Sequence, residues 1–515
     1  MSNDARLFIP PQGDMSNIFP SRKWAVLACI SLGVFMCTLD SSIVGVTLPT
    51  IATTFHAPFS AIEWVSSGYL LTNAMCLIPL GQTASRLGSE KLFVCGLVVF
   101  TMASALCGIS LSLRFLLLSR VVQGLGCAMM LAVSMSIITS AFPVEERGRA
   151  LGWNTVMVAL GTSAGPSMGS ILSTYATWHW VFALNVPLGL TAILMAVHVF
   201  RVCEVPHQIR SREPFDLAGA MCFAGGIGGI MVYLSFGQEL GWTSDLLLAC
   251  LLGGLALLLL FPSIEHRQRF PLVDLTLFRN RRFLFSILSL LLCSLSLMSV
   301  SFLLPFYCRE DRGDSALLAG AVLMSFPVTL GLISPLSGAL ADRVGARWLT
   351  TIGLIMAAIG LALISALDAH SPLLDMIWRL VFTGAGQALF LAPNNAVLMG
   401  SVLPEQRGSA SGFLATSRTL GQTVGIALSG SVFNRLGGGN AGQLLMLGHP
   451  VEDQLLSQLH STFTLAFRLT FWLCASLAIL GGVLSFLRGR TPVVSHRERK
   501  RKRRKRWLRR NWSIQ

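Results

Sequence analysis

Apolar stretches of around 20 residues recur along the chain, broken by short polar turns, and each is long enough to cross a ~30 Å hydrocarbon core. Fourteen can be read, near 24–48, 62–80, 92–111, 115–141, 150–173, 179–200, 217–236, 245–262, 283–307, 317–338, 348–367, 374–400, 409–432 and 463–487. Lipid offers no partner to free backbone groups, so stretches this rich in glycine must close their hydrogen bonds internally, as helices. The pattern predicts an all-α membrane protein with fourteen transmembrane helices.

The pattern also repeats. Gly81-Gln-Thr-Ala-Ser85-Arg86-Leu-Gly88 returns as Gly338-Ala-Leu-Ala-Asp342-Arg343-Val-Gly345, 257 residues later. Arg120, opening RVVQGLGCA, returns as Arg379, and Arg147 in PVEERGRALG returns as Arg407. Three motifs in one order at nearly one spacing indicate a duplicated half, the plan of a transporter with parallel repeats around a central site. The repeat distance exceeds the six-span half 24–200 by roughly 80 residues, room for two further spans that leave the second half in the first one's orientation. The expected organisation is a tail at 1–23, a six-helix bundle at 24–200, a linker with two extra spans at 201–282, a second bundle at 283–487 and a basic tail at 488–515.

Composition agrees with this reading. Charged residues are 12% of the chain, against about 25% in a soluble domain. With both ends in the cytosol, 31 of the 39 Lys+Arg fall on the inner side, four in outer loops and four inside spans. Without the 13 from position 488 onward, 18 remain inside against four outside, the asymmetry that orients helical membrane proteins. The net charge of +15 is thus topology plus tail, and it gives no reason to expect a nucleic-acid partner. The run RERKRKRRKRWLRR at Arg497–Arg510 is expected to lie in the cytosol near anionic lipid headgroups. The 12 cysteines show no metal-ligand or disulfide spacing, and no GxxxxGK[ST] loop announces a nucleotide.

Several spans carry further motifs: LDSSIVGVTLP from Leu39, Arg120-Val-Val-Gln123-Gly124, Gly161-Thr-Ser-Ala-Gly165-Pro166-Ser-Met-Gly169, Trp178-His-Trp180 through Asn185, PLVDLTLFRNRRF from Pro271, and Pro393-Asn394-Asn395. Together these resemble the fourteen-span drug:proton antiporter family of the major facilitator superfamily, from about Trp24 to Leu487. The sequence departs from the family's pattern where Ser85 replaces a usual Asp and His179 a usual Arg. The resemblance implies two six-helix bundles plus two inserted helices, no cofactor, and export driven by the proton gradient. It also implies a multi-pass protein of the cytoplasmic (inner) membrane.

Asp40 is the leading candidate for the chemistry. It sits inside a span, where an acid costs roughly 2.5–3.5 kcal/mol on insertion scales and is rarely kept without a use. It is read as handling a proton or a cationic substrate, with helix–helix hydrogen bonding as the alternative. Arg120 cannot release a proton but can tune a nearby acid or hold carbonyls, and the family associates its motif with proton transfer. Gly161, Gly165 and Gly169 share one helix face and permit close approach, Pro166 bends the helix, and the family associates this motif with exporters. Gly81, Gly88, Gly338 and Gly345 are expected to allow tight turns in two gate loops. There Arg86, Arg343 and Asp342 either pair across the halves or anchor the loops. Asn73, Asn154, Asn394, Asn395, Arg418 and Gln422 are candidates to line the cavity or to bond helix to helix. The expected function is proton-coupled export of amphipathic or cationic drugs by a monomer whose partners are a small molecule and protons. The alternatives are export of one metabolite (an amino acid, sugar or siderophore) and a non-transporting membrane sensor.

Overall fold

The computed structural model describes residues 20–56, 59–175, 177–202, 216–268, 275–314, 316–368, 370–403, 406–438, 441 and 453–489. Helices in the first half are α1 Pro20–Phe55, α2 Phe59–Leu87, α3 Ser89–Gly108, α4 Leu113–Ala141, α5 Arg147–Tyr175, α6 His179–Ala183 and α7 Asn185–Val202. An additional pair follows, α8 Leu217–Leu240 and α9 Asp245–Arg267. The second half holds α10 Arg281–Phe306, α11 Ala316–Leu323, α12 Ser325–Val344, α13 Ala346–Ile364, α14 Leu373–Gly400, α15 Arg407–Arg435 and α16 Asp453–Leu487.

Every expected span has its helix, and two are interrupted. Pro187 and Pro327 cannot donate to the carbonyls of residues 183 and 323, so α6 gives way to α7 at Leu184 and α11 to α12 at Met324. Several helices outrun the apolar stretch that announced them: α1 by four residues at its start and seven at its end, α16 by ten at its start. Polar residues continue a helix once it clears the hydrocarbon, and hydropathy is blind to that extension.

The halves pack alike. In the first, α1 lies on α5, α3 on α4, α2 on α4 and α3 on α7; in the second, α10 lies on α15, α13 on α14, α12 on α14 and α13 on α16. The halves meet where α5 packs against α12 and, in the equivalent place, α2 against α15. The extra pair covers one side of this seam, with α8 against both α2 and α15. Only 17% of the most apolar window of α9 is buried, which puts α9 on the outside of the bundle, against lipid.

Ten spans are long and apolar enough to cross a membrane by length and composition alone. The remaining four, α2, α5, α14 and α15, all touch the opposite half. Facing protein rather than lipid relieves a helix of the need to be apolar all round. The result is a multi-pass membrane protein with a basic face, which carries Arg86 and Arg343, and an opposite outer face.

Candidate functional site

Asp40 is fully buried, and five elements of the first half close around it. Arg120 on α4 donates from Nη1 to Asp40 Oδ2 at 2.6 Å. Gln123, one turn further along α4, donates from Nε2 to Asp40 Oδ1 at 2.9 Å, and Asn185 at the start of α7 donates to the same oxygen at 2.8 Å. Arg120 also donates from Nε to the Val65 carbonyl of α2 (2.8 Å), and Gln123 donates to Ser104 Oγ of α3 (2.8 Å). The guanidinium lies over the Tyr69 ring at 4.3 Å and near Phe182 at 5.5 Å, so its faces meet aromatic surface rather than water.

One carboxylate thus ties together α1, α2, α3, α4 and α7. In this conformation its charge is compensated by Arg120, and a proton reaching Oδ2 must displace the guanidinium. Protonation and release of α4 from α1 are one event at this site. Both sequence readings of Asp40 hold in the geometry, since it is also a helix–helix hydrogen bonder. Its depth differs from the expected mid-span position. Arg120 is only seven residues into α4, about 10 Å from its outer end at 1.5 Å per residue.

The second half has no counterpart. Arg379 pairs with Asp375 one turn earlier on the same helix and donates to the Leu363 carbonyl at 2.6 Å. The pair braces α14 against α13 and leaves α10 out.

The glycine motifs divide into two roles. Gly88 (φ 92°) and Gly345 (φ 98°) take the left-handed turn expected of them and end α2 and α12. Gly81 and Gly338 do not turn; they are helical and buried at the seam. A Cβ on Gly81 would come 2.8 Å from the Gly408 carbonyl of α15, and one on Gly338 would collide with the Gly148 carbonyl of α5. A glycine from each loop signature therefore presses on the glycine after the repeated arginine, Arg407 or Arg147, in the other half. Farther along, Gly152 meets Ser334 and Pro335, and Gly412 meets Leu77. These approaches all lie toward the basic face, which is the sealed one.

Gly161 and Gly165 let α5 sit on α1 at Phe35, Leu39 and Ser42. Gly169 is buried. The α5 backbone runs unbroken past Pro166, so the expected bend does not end the helix, and the Pro166 and Asp342 side chains lie outside the described residues. Arg86 is half-buried and Arg343 exposed.

Of the cavity candidates, Asn154 bonds Ser31 and Asn394 bonds Ser286 and Arg488, each within its own half. Asn73 and Asn395 are buried. Arg418 is half-buried and Gln422 exposed, in mid-helix. Arg488 corrects the expected boundary of the basic tail. It is 2% exposed and donates to Asn394 Oδ1 (2.7 Å), Thr350 Oγ1 (2.9 Å) and Ser286 Oγ (3.2 Å). Burial and the nearby Arg347 charge bring its pKa down to about 10. The rest of the basic tail, like residues 1–19, lies outside the described residues.

A family model described as Major Facilitator Superfamily matches residues 30–307 and again 298–514. Riboflavin transporter RibZ of Clostridioides difficile is 32% identical over 92% of this chain and 100% of its own length. Multidrug export protein EmrB of Escherichia coli is 29% identical over 78% of this chain and 78% of its own. Among solved structures, the proton:xylose symporter XylE superposes with a TM-score of 0.62 at 16% identity, covering 92% of this chain and 97% of that one. The two bundles, the paired motifs and these matches give one answer: the chain is a transporter and not an enzyme, it belongs to the major facilitator superfamily, and it groups with the drug:proton antiporter family that its motifs resemble.

Proposed function

We infer that this protein exports amphipathic, drug-sized compounds across the cytoplasmic membrane in exchange for protons, with the basic face and both chain ends in the cytosol. The observation that carries the reading is the Asp40 knot. A buried titratable acid holds α1, α2, α4 and α7 in register, and its only compensating charge is an arginine that a proton can replace. Proton arrival from the outer side, which Asp40 lies nearer, loosens the first half; proton loss re-forms it. The glycine seal at the basic face makes this the state closed to the cytosol, the one that releases cargo outward. The similarity to multidrug exporters supports this direction, and the excess of Lys+Arg at the basic face supports the orientation. The protein works as a monomer without a cofactor, its partners the cargo, protons and, at the tail, anionic lipid. Where the membrane potential contributes, it supplies about 2.3 kcal/mol per charge per 100 mV.

The test is uptake of a dye and metabolite panel into inverted vesicles, with and without an imposed pH gradient. Export reads as gradient-dependent uptake of several unrelated amphipathic compounds. Uptake that ignores the gradient removes proton coupling. A second reading, transport of one metabolite, is favoured by the end-to-end similarity to a riboflavin transporter. Uptake of riboflavin alone, with no dye competing, selects it.

A further inference from the structure

Helix α15 has four kinds of neighbour along its length, and three stripes of its surface are already in use. Gly408 and Gly412 face α2, where a Cβ on Gly412 would sit 2.9 Å from the Leu77 carbonyl. Gly421 and Gly425 face α10, with a Cβ on Gly421 reaching 2.6 Å from the Leu291 carbonyl. Phe413 and Leu420 pack into the cluster formed with α8. At 100° per residue, Arg418 and Gln422 fall on the stripe opposite Phe413 and Leu420, turned to the inside of the protein between the two halves. Gln422 is exposed there and Arg418 half-buried, so this stripe borders open space rather than packed helix.

Arg418 is eleven residues from the start of α15, about 17 Å into the bilayer from the basic face. Across the gap its charge is felt by the Cys37 and Cys127 thiols of α1 and α4, both buried in the first half. No ion pair among the described residues includes it. Asp40, one turn from Cys37, is committed: Oδ2 to Arg120 and Oδ1 to Gln123 and Asn185. An arginine cannot discharge itself by losing its proton, and a charge at this depth persists only beside water, a counter-charge or a ligand. The guanidinium fork matches a carboxylate or another anionic oxygen group, with Gln422 one turn away to donate a further hydrogen bond.

We propose that Arg418 is the docking point for an acidic oxygen group of the transported compound, so that the cargo is an amphipathic anion. This replaces the cationic preference expected from sequence. It rests on the exporter reading for its setting, though the binding site itself is testable without transport. The positive charge stands on the second half while the protonatable acid stands on the first. Cargo and proton therefore occupy different halves and do not compete for one group.

The test uses two dyes of one skeleton, anionic fluorescein and cationic rhodamine 123, with purified wild type, Arg418→Gln and Arg418→Lys compared by fluorescence polarisation. The expected result is fluorescein binding at least ten-fold weaker in Arg418→Gln, partly restored in Arg418→Lys, with rhodamine binding unchanged or tighter in Arg418→Gln. Gln422→Leu, which leaves the charge in place, should weaken fluorescein binding two- to five-fold and serves if the arginine variants misfold. No fluorescein binding by wild type, equal binding by wild type and Arg418→Gln, or equal loss of both dyes in a variant that melts like wild type overturns the proposal. The same proteins in inverted vesicles separate the two readings. Arg418-dependent fluorescein binding without export of any compound keeps the anion site and removes the exporter; dye export indifferent to Arg418 does the reverse.

Discussion

Asp40→Asn is the sharpest perturbation, because the geometry gives it two effects that can be measured apart. The substituted amide can still accept from Gln123 and Asn185 through its carbonyl oxygen. Its nitrogen then takes the place of Oδ2 and points a donor at Arg120 Nη1, another donor, across a gap that is 2.6 Å in the wild type. The charge-assisted bond is worth about 1.5–3 kcal/mol by itself. The guanidinium left buried without a counter-charge costs more, and breaking one partner of such a pair costs about 3–5 kcal/mol in all. For a six-helix half this is a drop on the order of 10 °C in melting temperature.

The double variant Asp40→Asn/Arg120→Gln removes both charges, and replacing a whole buried pair is far gentler than breaking it. It should recover most of the lost stability while remaining unable to couple transport to a proton gradient. The assay is thermal unfolding of purified protein followed by a thiol-reactive dye, since Cys37, Cys107 and Cys127 are buried near the knot and become accessible only on opening. Gradient-driven uptake in vesicles is measured on the same three proteins. If Asp40→Asn melts within about 1 °C of wild type, well inside the shift expected for a broken buried pair, Asp40 already carries a proton in the resting state and the ion pair is not its normal partner. If the double variant is less stable than the single, charge compensation is not what holds α4 to α1.

Other outcomes follow from the same contacts. Gly408→Val places a side chain against the Gly81 carbonyl and should break the seal, speeding the labelling of a single cysteine in the basic-face mouth by a membrane-impermeant thiol reagent; unchanged labelling would put the gate elsewhere. Truncation after Gly489 should leave transport per molecule intact, whereas truncation after Leu487 removes Arg488 and should lower the melting temperature by several degrees; equal behaviour would return Arg488 to the tail. At the outer end of α10, burial raises the Asp311 pKa above its ordinary 3.8, while His460 opposes the shift and Asp368 and His370 stand nearby. A raised carboxylate contributes stability below pH 3.8 that is lost as pH rises through the folded value. Asp311→Asn should therefore match wild type in strong acid and gain on it with rising pH, as read from paired melting curves, and a constant difference would contradict this.

How far the sequence announces these features depends on whether the signal is local. The spans, the duplication and the turn glycines Gly88 and Gly345 are legible because each is a pattern within a few residues or at a constant repeat distance. Gly81 and Gly338 read as turn residues because they share a motif with Gly88 and Gly345. Their actual partners, Gly408 and Gly148, belong to the opposite half and follow a motif noticed for its arginine. The Asp40 knot is half legible: an acid and an arginine inside spans each demand compensation, but nothing in the spacing shows that they compensate one another, or that Asn185 and Gln123 share the same carboxylate. Arg488 is hidden by its neighbours. A basic residue opening a basic run reads as tail, and the polar trio beneath it, Ser286, Thr350 and Asn394, comes from three separate helices with no common motif. Arg379 shows the converse: a repeat preserves the position of an arginine without preserving its chemistry, because α10 supplies no acid and Asp375 one turn earlier does. The duplicated scaffold thus leaves the proton chemistry to one half, and the other half is free to hold cargo.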